Sequence, residues 1–95
     1  MECERVVLRG HAIQRMFQRG IGLGAVLAVV ARGETVATYA DDTPHPSRLL
    51  LGFVGAKPLH VVVALDESTG ACIVVTAYEP AIEQWGADFR TRKNQ

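Results

Sequence analysis

The sequence predicts a single α+β domain in which two N-terminal helices pack on a four-stranded antiparallel sheet. Apolar residues recur at helical spacing between residues 11 and 32. From residue 34 onward, β-branched and aromatic residues form short runs that tight loops separate. Strands joined by tight loops pair antiparallel, so the sheet is predicted to be a meander. A chain of 95 residues can close one hydrophobic core, and one domain is therefore predicted over residues 1–95.

The first helix is predicted over residues 11–19, and Gly20 ends it because glycine favours the turn that closes a helix. The second helix is predicted over residues 23–32, with Gly33 as its C-cap. Apolar side chains at spacings of three and four residues line one face of each helix and are expected to be buried. These side chains are Ile13, Met16 and Phe17 in the first helix, and Leu23, Val26, Leu27 and Val30 in the second.

The four predicted strands cover residues 35–39, 48–54, 59–65 and 71–78. Residues 41–46 contain two prolines and two aspartates and are expected to form a loop. Before the helices, residues 6–8 are expected to form only a short extended entry. After the last strand, residues 81–89 are predicted to form a short helix or an irregular turn. Residues 91–95 are expected to be a loose tail.

The two cysteines, Cys3 and Cys72, are far apart in the sequence and are expected to be unpaired. A disulfide between them would need an oxidising compartment, and no signal-peptide pattern precedes the fold. The most apolar segment, residues 21–31, is shorter than the roughly 20 residues that a membrane-spanning helix needs. The protein is therefore predicted to be cytoplasmic, with no membrane partner.

Charge is balanced over the whole chain but not along it. Ten basic and ten acidic residues give a formal net charge of zero, which argues against salt-driven binding of nucleic acid by the whole surface. Residues 1–33, however, carry five arginines and two glutamates, whereas residues 34–70 carry five acids against Arg48 and Lys57. A local basic face is therefore compatible with a neutral chain.

His11, Arg15 and Arg19 form a row on the first predicted helix, with successive members four positions apart in the sequence. Guanidinium groups match the geometry of phosphate oxygens, and a nearby imidazole can move a proton at neutral pH. The row could therefore hold and process a phosphate chain. The alternative is a solvated face of an amphipathic helix, and periodicity alone favours that alternative. Arg48 on its own is most simply a surface charge.

His60 is the second candidate for chemistry. If the hairpin loop after its strand closes symmetrically, Leu65 pairs with Ala71, and His60 lies opposite Thr76 with Tyr78 as a diagonal neighbour. A histidine, a threonine and a tyrosine on one sheet face would make a polar site. The alternative is a half-buried histidine whose ring is satisfied by the threonine hydroxyl. A slip of one residue in register would undo the cluster.

No metal or cofactor site is predicted from the sequence. The loop acids match no metal-binding spacing and are typical of turns. The chain has no phosphate-binding glycine loop, no dinucleotide fingerprint and no nucleophile elbow.

Four segments, taken in order along the chain, carry a family resemblance. They are His11-Ala-x-x-Arg15-Met-x-x-Arg19-Gly-Ile21, Gly33-Glu34, Pro58-Leu-His60-Val-Val62 and Val75-Thr-Ala-Tyr78-x-Pro80. From about residue 10 to residue 90, the chain resembles domain-of-unknown-function family 4258. That family looks related to the BrnT and RelE/ParE-like toxins of bacterial toxin–antitoxin pairs, which implies a RelE/BrnT-like fold.

The resemblance implies a toxin that cleaves mRNA as a metal-independent endoribonuclease. Its partners would be an antitoxin from a neighbouring gene, and RNA or the ribosome. Such cleavage needs a group that takes the proton from the attacking 2′-hydroxyl and cations that stabilise the phosphorane. The resemblance assigns proton transfer to His11 or His60, an orienting or stacking role to Tyr78, and phosphate binding to Arg15, Arg19 and Arg48.

A non-enzymatic module that binds a protein partner on the same fold is the alternative, and the zero net charge favours it. Cleavage of RNA in EDTA would indicate the enzyme, whereas partner binding without cleavage at any salt concentration would indicate the module. His11 and His60 can share one site only if the first helix lies close to the His60 face or to the sheet edge.

Overall fold

Two helices and five strands form the described part of the chain, residues 1–93, in a computed structural model. In chain order they are β1 (Arg5–Leu8), α1 (Gly10–Gln18), α2 (Leu23–Arg32), β2 (Glu34–Tyr39), β3 (Ser47–Val54), β4 (Lys57–Asp66) and β5 (Ala71–Tyr78). The α+β class is confirmed, and both helices begin and end within one residue of their predicted bounds. Among the described residues, no helix has the length and apolar character needed to cross a membrane. The cytoplasmic location stays a prediction.

The strands form one sheet in the order β1-β5-β4-β3-β2. Strands β2 to β5 pair antiparallel with their neighbours in sequence, as a meander requires. The prediction of a four-stranded antiparallel sheet is wrong, because β1 adds a fifth strand that runs parallel to β5. The apolar run from Val6 to Leu8 is too short to show a period, and its partner lies at the other end of the chain. No local loop signals such a pairing.

A disulfide joins Cys3 to Cys72, whose Cα atoms lie 5.5 Å apart. The prediction of two unpaired cysteines is therefore wrong. The parallel pairing of β1 explains the bond, since Val6 lies beside Cys72 in the sheet. The backbone N–H of Glu4 donates to the carbonyl of Gly70 at 2.9 Å, which holds Cys3 beside the start of β5. The two cysteines are 69 residues apart in sequence, so the bond encloses most of the chain.

The hydrophobic core lies between the helices and one face of the sheet. Helix α1 packs on β5, and α2 packs on β3 and β4. The buried helix side chains are Ala12 and Met16 in α1 and Val26, Val29 and Val30 in α2. The buried sheet side chains of this core are Leu50, Leu59, Val61, Val63, Cys72, Val74 and Ala77.

Part of each predicted buried stripe is exposed instead. In α1, Ile13 is 52% exposed and Phe17 is 87% exposed, while the neighbouring Ala12 faces the core. In α2, Leu23 and Leu27 are 52% and 37% exposed. Periodicity identifies an apolar stripe, but the sheet buries only the part of the stripe that faces it. The remaining apolar side chains stay on the surface of the helices.

The register of β4 with β5 differs from the predicted one but keeps His60 and Tyr78 on one face. The hairpin loop is one residue shorter than predicted, and a bulge at Val75 shifts the pairing by one more residue. His60 therefore pairs with Tyr78, whereas Thr76, its predicted partner, pairs with Val62. Side chains alternate with a period of two, so a total shift of two residues leaves His60 and Tyr78 on one face.

Residues 80–93 form turns over the second face of the sheet, so the predicted short helix or irregular turn is a turn. Trp85 is buried against this face. The guanidinium of Arg90 binds the carboxylate of Glu34 on β2, with an N–O distance of 2.8 Å. This ion pair ties the segment to the far edge of the sheet.

The predicted loose tail is wrong over its first part. The backbone N–H of Gly86 donates to the carbonyl of Thr91 at 2.8 Å, and the N–H of Lys93 donates to Gln84 at 2.9 Å. Residues 94 and 95 lie outside the described residues.

We expect the disulfide to stabilise the fold by restricting the unfolded chain. Replacing Cys3 by serine should lower the free energy of unfolding by about 2–4 kcal/mol, because the lost cross-link encloses most of the chain. Urea denaturation followed by circular dichroism measures the change. As a control, reductant should destabilise the unchanged protein but not the Cys3→Ser variant. Equal urea midpoints for oxidised and reduced protein would contradict the prediction.

Candidate functional site

His60, the histidine that the sequence places on the sheet, is completely buried in the second face. Its Nε2 donates to the carbonyl oxygen of Phe89 at 2.9 Å. Its Nδ1 lies 3.3 Å from the Tyr78 hydroxyl, which donates to it. The ring also meets Trp85 edge-on, with ring centroids 4.5 Å apart. These partners assign the neutral tautomer that carries its proton on Nε2.

Burial keeps both members of the His60–Tyr78 pair uncharged. Loss of surrounding water lowers the pKa of His60, although its hydrogen bond to Phe89 opposes the effect. Burial also raises the pKa of the Tyr78 hydroxyl, and the charges of Arg92 and Arg19 partly oppose that rise. Both ring nitrogens of His60 are bonded and the ring is not exposed. Its environment therefore fits a structural histidine better than the predicted proton carrier.

Arg19, at the end of the predicted phosphate-binding row, is turned toward the sheet edge. Its Nη1 donates to the carbonyl of Ala77 at 2.8 Å and to the Thr76 hydroxyl at 3.2 Å. Strand β1 ends beside Val74, so the guanidinium acts as a hydrogen-bond partner for β5 beyond the last β1 pair. This contact brings the end of α1 to the β5 edge.

The other two arginines predicted to bind phosphate do not join Arg19. Arg15 is exposed on α1. Arg48 lies on β3, two strands away from β5, and lines a separate cavity of about 210 Å³ beside Thr38 and Glu67. The structure therefore does not assemble the three predicted arginines into one phosphate site.

His11 lines a cleft of about 490 Å³ between the start of α1 and the loop that joins β2 to β3. A second histidine, His45, comes from that loop, and Arg9 precedes α1 on the other side. Asp42 and Ser47 also line the cleft. Two imidazoles, a guanidinium and a carboxylate are thus brought to one cavity by elements that are distant in sequence.

Local contacts hold the loop that carries His45. The Ser47 hydroxyl donates to Oδ2 of Asp42 at 2.6 Å, and the Ser47 side chain is buried. Nε2 of His45 lies 3.9 Å from Oδ2 of Asp66. Hydrogen bonds from Ser68 lower the pKa of the Asp66 carboxyl, so a charged carboxylate stands beside His45.

The structure separates the two predicted catalytic histidines. His11 lines the cleft at the start of α1, whereas His60 lies under the backbone of Phe89 and outside that cleft. The sequence does not predict His45 as a site residue, because its only signal is its position in a proline-rich loop. Within residues 1–93, no group of three or more histidine, cysteine, aspartate or glutamate residues is placed to hold a metal ion.

We expect His60 to make stability depend on pH. Burial lowers the pKa of His60 below the ordinary value of 6.5. As the pH falls, the unfolded state therefore takes up a proton on His60 at a higher pH than the folded state does. The contribution of neutral His60 to the free energy of unfolding is complete above its unfolded-state pKa. It is lost as the pH falls toward its folded-state pKa. His60→Gln should flatten the decline in unfolding free energy between about pH 7.5 and 5.5. One proton contributes at most about 1.4 kcal/mol per pH unit to that decline.

Urea midpoints measured across this pH range test the prediction. His11→Gln is the matched control, because His11 is exposed and its loss should leave the decline unchanged. An unaltered pH dependence in His60→Gln would show that another group causes the decline.

Comparison with known proteins identifies one related family. No curated protein and no solved structure matches the chain. The sequence profile of the Domain of unknown function (DUF4258) matches residues 8–79, from the end of β1 to the residue after β5. The match includes His11, His45 and His60 but not the turns that cover His60. The chain therefore belongs to the DUF4258 family of domains of unknown function.

Proposed function

We propose that this domain acts by binding a partner protein through its two helices. The observation that carries the proposal is the exposure of four large apolar side chains on α1 and α2. They are Ile13, Phe17, Leu23 and Leu27. Exposed apolar residues are normal when they are scattered singly, whereas several on two short helices indicate an interaction surface.

The spacing of these side chains suits a helical partner. Ile13 and Phe17 are four residues apart, as are Leu23 and Leu27, so each pair lies along one side of its helix. Such pairs form ridges against which the apolar side of another helix can pack. Covering this apolar surface favours association, and part of that gain offsets the freedom that the partner loses on binding.

The charge of this region defines the chemistry of the partner. Residues 5–33, which include β1 and both helices, contain five arginines and no acidic residue. Arg15 is exposed on the same helix as Ile13 and Phe17. An amphipathic helix that carries glutamate or aspartate beside its apolar side would therefore match this surface in both polarity and charge.

A second candidate function is metal-independent cleavage of mRNA by a toxin of the BrnT or RelE type. The observation that favours it is the cleft beside α1, where a second imidazole, His45, and the guanidinium of Arg9 accompany His11. Two imidazoles can serve as the base and the acid of phosphodiester cleavage. In this candidate the protein bound to the helices is an antitoxin from a neighbouring gene, and RNA, free or on the ribosome, is the substrate.

We expect the helices to prefer an acidic amphipathic peptide. A labelled helical peptide with leucines four residues apart and glutamates beside them should bind the domain, and its lysine counterpart should bind at least about tenfold more weakly. Phe17→Ser should weaken binding by a similar factor and leave urea stability within about 0.5 kcal/mol, since Phe17 is exposed. Fluorescence anisotropy measures the binding.

Phe53→Ser is the matched control for this experiment, because Phe53 is exposed on β3 rather than on a helix. It should leave peptide binding unchanged. Equal binding of the acidic and basic peptides, or an equal loss in Phe53→Ser, would refute the proposed surface.

The second candidate predicts RNA cleavage in EDTA and growth arrest on expression. His11→Ala should lower the cleavage rate by at least about a hundredfold, because a positioned acid or base contributes that much or more. Gln14→Ala, also exposed on α1, should cleave normally. Peptide binding without any RNA cleavage, at low and at high salt, would leave partner binding as the function and reject the enzyme.

A further inference from the structure

We propose that the cleft between the start of α1 and the β2–β3 loop binds a single phosphate ester joined to a planar or apolar group, such as one nucleotide unit. The inference goes beyond partner binding, and for the RNA-cleaving candidate it names the site. The cleft volume of about 490 Å³ falls in the range of small-molecule sites, which is about 300–1,000 Å³.

The α1 side of the cleft carries donors for phosphate oxygens. Arg9 precedes α1 directly, and His11 lies in its first turn. That turn contains no acidic side chain, and Arg9 makes no side-chain capping bond. A guanidinium offers five N–H donors in a planar fork, and an imidazole offers at least one. These groups are therefore available to an anion in the cleft.

His45 reaches the cleft from the β2–β3 loop. It lies between Pro44 and Pro46, which restrict the backbone on both sides. The 2.6 Å hydrogen bond between Ser47 and Asp42 closes the loop on itself. Because the His45 side chain is partly exposed and lines the cleft, a ligand can contact its ring.

Apolar side chains line the cleft beside these donors. Ile73 and Ala64 come from paired positions of β5 and β4. Val75 is the bulge residue of β5 and is 45% exposed, so the bulge leaves its side chain accessible in the cleft. An apolar surface next to phosphate donors suits the sugar and base of a nucleotide, whereas inorganic phosphate would use the donors alone.

The charge of the cleft favours a ligand with few negative charges. Asp42 places one carboxylate in the cleft, and Asp66 lies 3.9 Å from His45, so the charges of these carboxylates oppose that of a bound anion. A phosphodiester carries one negative charge and a monoester about 1.5 to 2 near pH 7, so either meets less of this repulsion than a triphosphate does. The triphosphate adds charge without adding apolar contact, and we expect it to gain no affinity from its extra phosphates.

The experiment uses uridine 5′-monophosphate as the probe and the ring signals of His11 and His45 as the readout. Titration followed by ¹H–¹³C NMR should shift both signals. The monophosphate should bind at least about tenfold more tightly than inorganic phosphate, and uridine 5′-triphosphate should bind no more tightly than the monophosphate. A single-stranded oligouridine that binds more tightly per site would identify RNA as the source of the phosphate ester, and equal affinity would identify the free nucleotide.

Variants separate this site from the other surfaces. Arg9→Ala and His45→Ala should each weaken nucleotide binding by about tenfold, and His45→Asn provides a second loop variant if the alanine disturbs folding. Lys57→Ala, which removes a positive charge outside the cleft, should bind normally. Phe17→Ser should also bind nucleotide normally. A result against partner binding by the helices is therefore distinguishable from a result against nucleotide binding in the cleft.

Three results would overturn the proposal. The first is the absence of shifts at His11 and His45 at roughly millimolar nucleotide. The second is equal affinity for inorganic phosphate, which would leave no role for the apolar surface. The third is an equal loss of binding in Lys57→Ala, which would indicate attraction by net charge without a defined site.

Discussion

The hydrogen-bonding requirement of the outer edge of β5 organises the rest of this domain. The first half of that edge, Ala71–Val74, pairs with β1. Further along, Arg19 at the end of α1 donates to the carbonyl of Ala77. A buried carbonyl without a partner costs about 1–3 kcal/mol, so the edge needs a donor where β1 ends. Helix α1 supplies it, and the disulfide from Cys3 fixes the beginning of the same edge.

The change of partner along β5 also creates the cleft. Strand β1 ends beside Val74, and Arg9 and His11 follow directly, while the bulge of β5 falls at Val75. A bulge leaves one residue outside the ladder and increases the local twist. Arg9, His11 and Val75 therefore enter the cleft at one interruption of regular pairing, whereas His45 comes from the β2–β3 loop. His60 lies where pairing is regular and the turns around Trp85 cover it, which gives it a structural environment.

The sequence predicts elements that local patterns mark, and it does not predict contacts between segments that are distant in the chain. Helix α2 has its predicted bounds because apolar spacing and Gly33 mark it locally. The β1–β5 pairing and the disulfide join opposite ends of the chain, and no short pattern records them. Likewise, His45 and His11 line the same cleft only through tertiary packing. Periodicity marks Phe17 as apolar but carries no information about whether the same chain covers it.

The predicted His/Arg row shows why a helical pattern alone cannot define a phosphate site. Its ends, His11 and Arg19, are eight residues apart, so a rise of about 1.5 Å per residue separates their backbones by about 12 Å. Because α1 packs along β5, each end meets a different part of the strand. Arg19 satisfies the strand edge, His11 lines the cleft, and Arg15 is exposed between them. A single phosphate is too small to contact both ends, so any phosphate chemistry of His11 must draw its partners from Arg9 and the β2–β3 loop.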